Sequence, residues 1–178
     1  MSVDVPSIAA LSEYGKQQLW SLSDSAQLDS NILICHVINK DFSYLLTWPE
    51  KKLSLCEYEK FIELLNRRIK GEPIAYIVGT KEFWSLPLLV SPATLIPRPD
   101  TEVLVERILA IYEAQYGASL KCLDLGTGTG AIALAIASEM PHWQFDAVDF
   151  QSSAVALAKD NAGYGPKLIL ARFFVTGR

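Results

Sequence analysis

The sequence predicts an α/β protein made of an N-terminal helical bundle, a β-hairpin linker and a partial doubly wound parallel sheet. Three observations carry that expectation. Residues 1–73 repeat apolar side chains at helical spacing, residues 74–97 are β-rich and punctuated by proline, and residues 98–178 alternate strand and helix signals around a glycine-rich turn. With 178 residues, 19.7 kDa and half of its side chains apolar, the chain can bury one large core or two small ones.

The clearest helix runs from Ser54 to Lys70. Ser54 and Glu57 have the spacing of a capping box, Tyr58, Phe61, Ile62, Leu65 and Ile69 recur along one face, and Gly71 and Pro73 stop the helix. A second helix, Ser25 to Asn39, is expected to bury Leu28, Ile32 and Cys35, and a third, Ser7 to Trp20, to add Leu11, Leu19 and Trp20 to the bundle. In the linker, KEFW and PLLV read as a hairpin turning across Ser85-Leu86. A helix follows from Asp100, its expected N-cap, to Tyr116, then a strand over Leu120–Leu125, a glycine loop and a helix over Ala131–Ser138. A second strand spans Gln144–Asp149, a helix Ser152–Asn161 and a third strand Lys167–Val175, an order that requires parallel strands joined by right-handed crossovers.

Composition excludes several classes of function. Sixteen basic against twenty acidic side chains give a net charge of −4 and a pI near 5.2, which argues against binding nucleic acid by charge alone and against an anionic membrane surface. Cys35, Cys56 and Cys122 form no C-x-x-C pair, and His36 and His142 stand far apart, so neither a disulfide framework nor a metal site is expected. The N-terminus carries Asp4 and Pro6 where an export signal needs an apolar stretch, and the longest apolar run, Ala131–Ala137, is far short of the ~20 residues that span a bilayer. A protein of a reducing, cytoplasmic compartment is the expectation.

The chemistry is concentrated in CLDLGTGTGAIALAIA. A strand ends at Asp124 and enters Gly126-Thr127-Gly128-Thr129-Gly130 before a helix, where glycines let the backbone turn sharply and approach a ligand. Asp149 closes the next strand, the place from which a carboxylate accepts two ribose hydroxyls. Dinucleotide sites read G-x-G-x-x-G and put a pyrophosphate on the helix start. This loop reads G-x-G-x-G and has a carboxylate, Asp124, just before it, which would repel a pyrophosphate and suits the sulfonium and ammonium of S-adenosylmethionine. Two plainer alternatives stay open: Asp124 as a solvated strand-end acid, and Asp149 as a cap for the helix from Ser152.

The DLGTGTGAIAL loop and AVDFQSSAVALAKDNA resemble the first two motifs of class I S-adenosylmethionine methyltransferases. EPIAYIVGTKEFWSLPLLVSPATLIPRPDTEVLVE, with LIPRPDTE at Leu95–Glu102, is similar to the segment that joins the helical and catalytic domains of the protein-glutamine methyltransferases that modify peptide chain release factors, the PrmC/HemK family. The resemblance spans about Leu28 to Asn161. It implies a Rossmann-like methyltransferase domain over residues 98–178, a release-factor-recognition domain over residues 1–73 and a hairpin linker over residues 74–97. It further implies S-adenosylmethionine held by Gly126, Thr127, Gly128, Thr129, Gly130 and Asp149, with Asp124 added on the charge grounds above, a release factor as protein substrate and no metal required. No direct nucleic-acid partner is expected, and the oligomeric state is left open with a monomer as the expectation. Within LIPRPDTE, Arg98–Glu102 is expected beside the cofactor cleft.

One departure matters. In the family the substrate amide is held by an Asn-Pro-Pro-Tyr motif, whereas this sequence contains no Pro-Pro dipeptide, so no catalytic residue is assigned. The tail Gly163–Arg178 reads as a truncated or frame-shifted end. The expectation is therefore glutamine-side-chain methylation by family, with an inactive fragment that at most binds the cofactor or a protein partner as the alternative. A nicotinamide-dependent oxidoreductase is a further rival, supported only by the generic strand–glycine–helix pattern.

Overall fold

The computed structural model describes residues 5–113, 117–164 and 171–176. The chain divides into two compact units, Met1–Val78 and Gly79–Arg178.

The first unit is helical: α1 (Ile8–Leu19), α2 (Ala26–Ile38), α3 (Phe42–Thr47), α4 (Leu55–Ile69) and α5 (Ile74–Val78). Side chains cap the starts of α1, α3 and α4, the last as the Ser54/Glu57 spacing predicts, whereas α3 is not among the helices the sequence predicts. Ser7 accepts from Ala10 N–H, Asp41 from Tyr44 N–H, and Ser54 with Glu57 forms the complete capping box. Phe61, Leu64 and Leu65 of α4 meet Leu11 and Leu19 of α1 and Leu33 and Ile34 of α2 in one core.

Three sequence expectations fail in this unit. Trp20 is 73% exposed and lies beyond the end of α1 rather than in the bundle. The α2 stripe turns a different way: Leu28 is 49% exposed, and Ala26, Asp29, Ser30, Leu33 and Ile34 are buried instead. Apolar residues surround α2 on nearly every side, so their spacing does not select a face. The buried Asp29 decides it, accepting from Ser23 and Ser25 hydroxyls and from Arg68 Nε at 2.9 Å, which ties the start of α2 to the end of α4. Finally, Ile74–Val78, expected at the head of a β-rich linker, is the short helix α5, whose buried Ala75 and Ile77 show packing overriding β-branched propensity.

In the second unit, β1 (Thr80–Phe83) and β2 (Leu86–Leu89) pair antiparallel with Phe83 opposite Leu86. The turn is Trp84-Ser85, one residue earlier than expected, and both residues adopt positive φ, the geometry that matches hairpin twist. Glu102 accepts from Trp84 N–H and Glu139 from its indole N–H, both at 2.9 Å, holding that turn. Pro99–Thr101 forms a 3-10 turn and α6 begins at Glu102, running to Tyr112. Asp100 is therefore inside the turn, and the residue ahead of α6, Thr101, makes no side-chain cap. The expected extension to Tyr116 and the start of the last strand at Lys167 lie outside the described residues.

The sheet follows as predicted: β3 (Lys121–Leu125), α7 (Ala131–Glu139), β4 (Gln144–Asp149), α8 (Ser152–Gly163) and β5 (Ala171–Val175), with strand order β3-β4-β5 and both pairings parallel. Its two faces are unlike. Phe145, Ala147 and Phe173 point into a core with Leu134, Val155 and Ala158, while Leu123, Leu125 and Phe174 on the opposite face are 63%, 73% and 47% exposed.

Replacing Asp29 by Ala removes the carboxylate partner of Arg68, whose side chain is 17% exposed, and leaves it only the Glu72 carbonyl at 3.2 Å. The expected loss is about 3 kcal/mol in a urea melt. By contrast Glu72→Ala, which removes the partly exposed bidentate partner of Arg67, is expected to cost less, no more than about 1 kcal/mol. On the bare sheet face, the double substitution Leu123→Thr, Leu125→Thr is expected to reduce binding of a hydrophobic fluorescent dye. It should change stability by no more than about 0.5 kcal/mol per site, and unchanged dye binding would locate the accessible apolar patch elsewhere.

Candidate functional site

The site is the turn from β3 into α7, seen with the ends of β3 and β4. Gly126, Gly128 and Gly130 all take positive φ (78°, 55° and 82°), which side chains rarely adopt and which lets the backbone reverse within five residues. Val148 O of β4 accepts from both Gly126 N–H and Thr127 N–H, at 2.9 and 3.0 Å, and Gly130 N–H returns to Thr127 O at 2.8 Å. The loop is thus fixed by backbone bonds to the neighbouring strand before any ligand is considered.

The two acids behave differently. Asp149 accepts from Gly128 N–H through Oδ2 and from Gln151 N–H through Oδ1, each at 2.9 Å, so one carboxylate holds both the glycine loop and the residue preceding α8. An ionised carboxylate has about four acceptor positions, so each oxygen keeps capacity for a further donor. Asp124 accepts the Thr127 hydroxyl at 2.7 Å and faces a separate cavity shared with Leu104, Ile108 and Ile132. Gly126, Thr127, Gly128, Thr129 and Asp149 line one cleft of about 330 Å³, whose other wall is Leu95–Arg98 with Thr101. Gly130 stands behind that lining, where a Cβ would come within 3.3 Å of Leu134, Ala158 and Phe173.

The space beside the loop suits a ligand. A Cβ built on Gly126 meets nothing within 4 Å and one on Gly128 meets only Thr94 Cβ at 4.0 Å, so these glycines border open cleft and not packed protein. Their small size keeps that room free. Burial pushes the Cys122 thiol above its usual range, which disfavours a thiolate nucleophile there. Among the described residues no group of three or more His, Cys, Asp or Glu side chains is placed to hold a metal ion, and no helix is long and apolar enough to cross a membrane.

Sequence reasoning missed Asn161. It is 1% exposed and gives Nδ2 to Thr129 O at 2.9 Å, beneath the loop. The signal was present: Ala154, Ala158 and Asn161 recur at four and three along the buried face of α8, where a polar side chain needs partners.

Gly130→Ala imposes a left-handed conformation on a residue with a Cβ and crowds three core groups. The expected stability loss is at least about 1–2 kcal/mol in a thermal or urea melt. Gly126→Ala, with the same sign of φ and no crowding, should lose less, and an equal loss would remove packing behind Gly130 from the explanation.

Comparison with known proteins gives a consistent picture. The PrmC N-terminal domain family matches residues 10–79, and the methyltransferase small domain family matches residues 99–166. A protein of Aliivibrio fischeri named release factor glutamine methyltransferase is 63% identical over 140 residues, which cover 79% of this chain and 48% of that protein. Proteins of the same name from Shewanella oneidensis and Vibrio cholerae are 51% and 54% identical, covering 89% and 91% of this chain and 54% and 55% of their own lengths. The chain spans about half the length of the curated relatives it matches.

Proposed function

The chain belongs to the release factor glutamine methyltransferase family, and from that premise we propose that its second unit binds S-adenosylmethionine for transfer of a methyl group to a glutamine side-chain nitrogen of a release factor. The observation that carries the reading is the convergence of the glycine loop, Asp149 and the Leu95–Arg98 segment on one cleft. Family membership favours this over the oxidoreductase rival. When bound, the cofactor supplies an electrophilic sulfonium methyl.

Each residue has a part that follows from its bonds. Asp149, already held by Gly128 and Gln151 N–H, is oriented to accept two ribose hydroxyls without a further search for a rotamer. Gly126 and Gly128 keep the loop side of the cleft free of side chains, and Thr127 is fixed by Asp124 so that its hydroxyl does not swing into that space. Asp124 thus acts on the loop through Thr127. Arg98, exposed on the opposite wall, is the one cationic side chain of that lining among the described residues and is assigned on charge to the carboxylate of the methionine part. Thr129 and Gly130 complete the set, Thr129 lining the cleft and Gly130 permitting the close packing behind it.

A carboxamide nitrogen is a weak nucleophile because its lone pair is delocalised, so methyl transfer needs fixed acceptors that orient it and take up developing positive charge. The family places these in Asn-Pro-Pro-Tyr, and the 178 residues contain no Pro-Pro dipeptide. What is proposed of these residues is therefore cofactor binding, whereas turnover on a cytoplasmic release factor is proposed of the family's longer chains.

Calorimetric titration tests the reading. S-adenosylmethionine is expected to bind and NAD not to bind. Asp149→Ala removes acceptors for two hydroxyls, together on the order of 1–3 kcal/mol, and should weaken binding roughly tenfold or more. Unchanged affinity in that variant, or preference for NAD, would falsify the assignment.

A further inference from the structure

Asn161 does more than fill a polar vacancy in the core. Its carboxamide has two N–H donors and one carbonyl oxygen, and all three groups are engaged: Nδ2 donates to Thr129 O at 2.9 Å and to Leu89 O at 3.0 Å, while Oδ1 accepts from Leu89 N–H at 2.6 Å. Taking both backbone groups of one residue is what a neighbouring strand would do. Leu89 lies opposite Thr80 in the hairpin, and antiparallel pairs alternate between residues that bond each other and residues whose N–H and C=O point outward. Asn161 satisfies the outward-facing groups of Leu89 and, with its remaining proton, the glycine loop.

The position of those partners is informative. Thr129 belongs to the loop wall of the cleft. Leu89 is the last residue of β2, which continues through Val90 and Ser91 into the Ala93–Arg98 segment that forms the facing wall. One buried side chain on α8 therefore bonds both the loop wall and the strand end that leads into the facing wall.

We propose that Asn161 is a positioning residue for the cofactor cleft, joining the glycine loop to the wall that follows β2 so that the two respond to a ligand as one body. The inference rests on the cofactor reading above. It implies that ordering the loop with ligand also tightens the Leu89 amide, which touches no ligand in the cleft.

The test is residue-resolved amide hydrogen exchange of the 178-residue chain with and without saturating S-adenosylmethionine, alongside calorimetry. In the wild-type chain the ligand is expected to slow exchange at Gly128 and at Leu89 together, each by about tenfold or more. Two variants separate coupling from packing. Asn161→Asp keeps the shape but turns an acceptor towards Thr129 O and Leu89 O, and Asn161→Leu keeps similar volume with no hydrogen bond. In both, checked for folding by circular dichroism, affinity is expected to fall about tenfold and the slowing to stay within the loop. Heat of binding in the wild type with no change at Leu89 would overturn the role of Asn161 alone, even if neither variant folds. Variants that bind and transmit like wild type would do the same. No heat with the wild-type chain would overturn the cofactor reading itself and this inference with it.

Discussion

The second unit depends on a steric constraint at Gly130. The chain must leave β3, reverse, and start α7 while that helix start lies against α8 and β5. At φ 82° a side chain is disfavoured, and a Cβ would press on Leu134, Ala158 and Phe173 at 3.2–3.3 Å. With no side chain there, Leu134 N–H reaches Gly130 O at 2.8 Å and the alanine-rich helix buries Ala133, Leu134, Ala135 and Ile136 against the sheet. Gly126 and Gly128 then face the open cleft. The same Gly-x-Gly-x-Gly spacing thus answers two needs, close packing behind the loop and close ligand approach in front of it.

Preorganisation follows from where β4 ends. Its last two residues do the holding: Val148 through its carbonyl, which takes two loop N–H groups, and Asp149 through its carboxylate, which takes a third and also reaches Gln151. Strand pairing puts Leu125 beside Val148, so the register of the parallel sheet is also the register of the site. A slip of one residue would replace the carboxylate at this point by a residue pointing to the other face of the sheet. The fold and the site are specified by the same pairing.

How much was legible in the sequence depends on whether the signal was local. The capping box at Ser54 and Glu57, the extent of Gln144–Asp149 and the glycine loop are read from residues within a few positions of each other, and the structure has them as expected. The face of α2 was not legible, because the ion pair that selects it joins Asp29 to Arg68, 39 residues away. The hairpin turn was displaced by one residue because nothing in Trp84-Ser85 announces positive φ. Glu102 and Glu139, which hold it, are remote in sequence. Asp100 has the residue type of a cap but follows Pro99 into a 3-10 turn, which moves the helix start past it. Asn161 is the site's counterpart of Asp29, a buried polar side chain whose partners lie 72 and 32 residues back in the chain.

The family's chemistry makes two demands that differ physically. Holding a nucleoside-type cofactor calls on backbone geometry and one carboxylate, and the proposed site draws these from a turn, two strand ends and the wall over Leu95–Arg98, with Asn161 bonded to the loop from behind. Methylating an amide nitrogen calls on a second set of acceptors aimed at a group that carries no charge until the bond begins to form, and burying such acceptors without their substrate is costly. The two demands need not share residues. In this sequence the first set is present as a built cleft, and the motif that the family uses for the second does not occur. Under the proposed reading, affinity for the cofactor and turnover of a protein substrate rest on different groups, and the first does not predict the second.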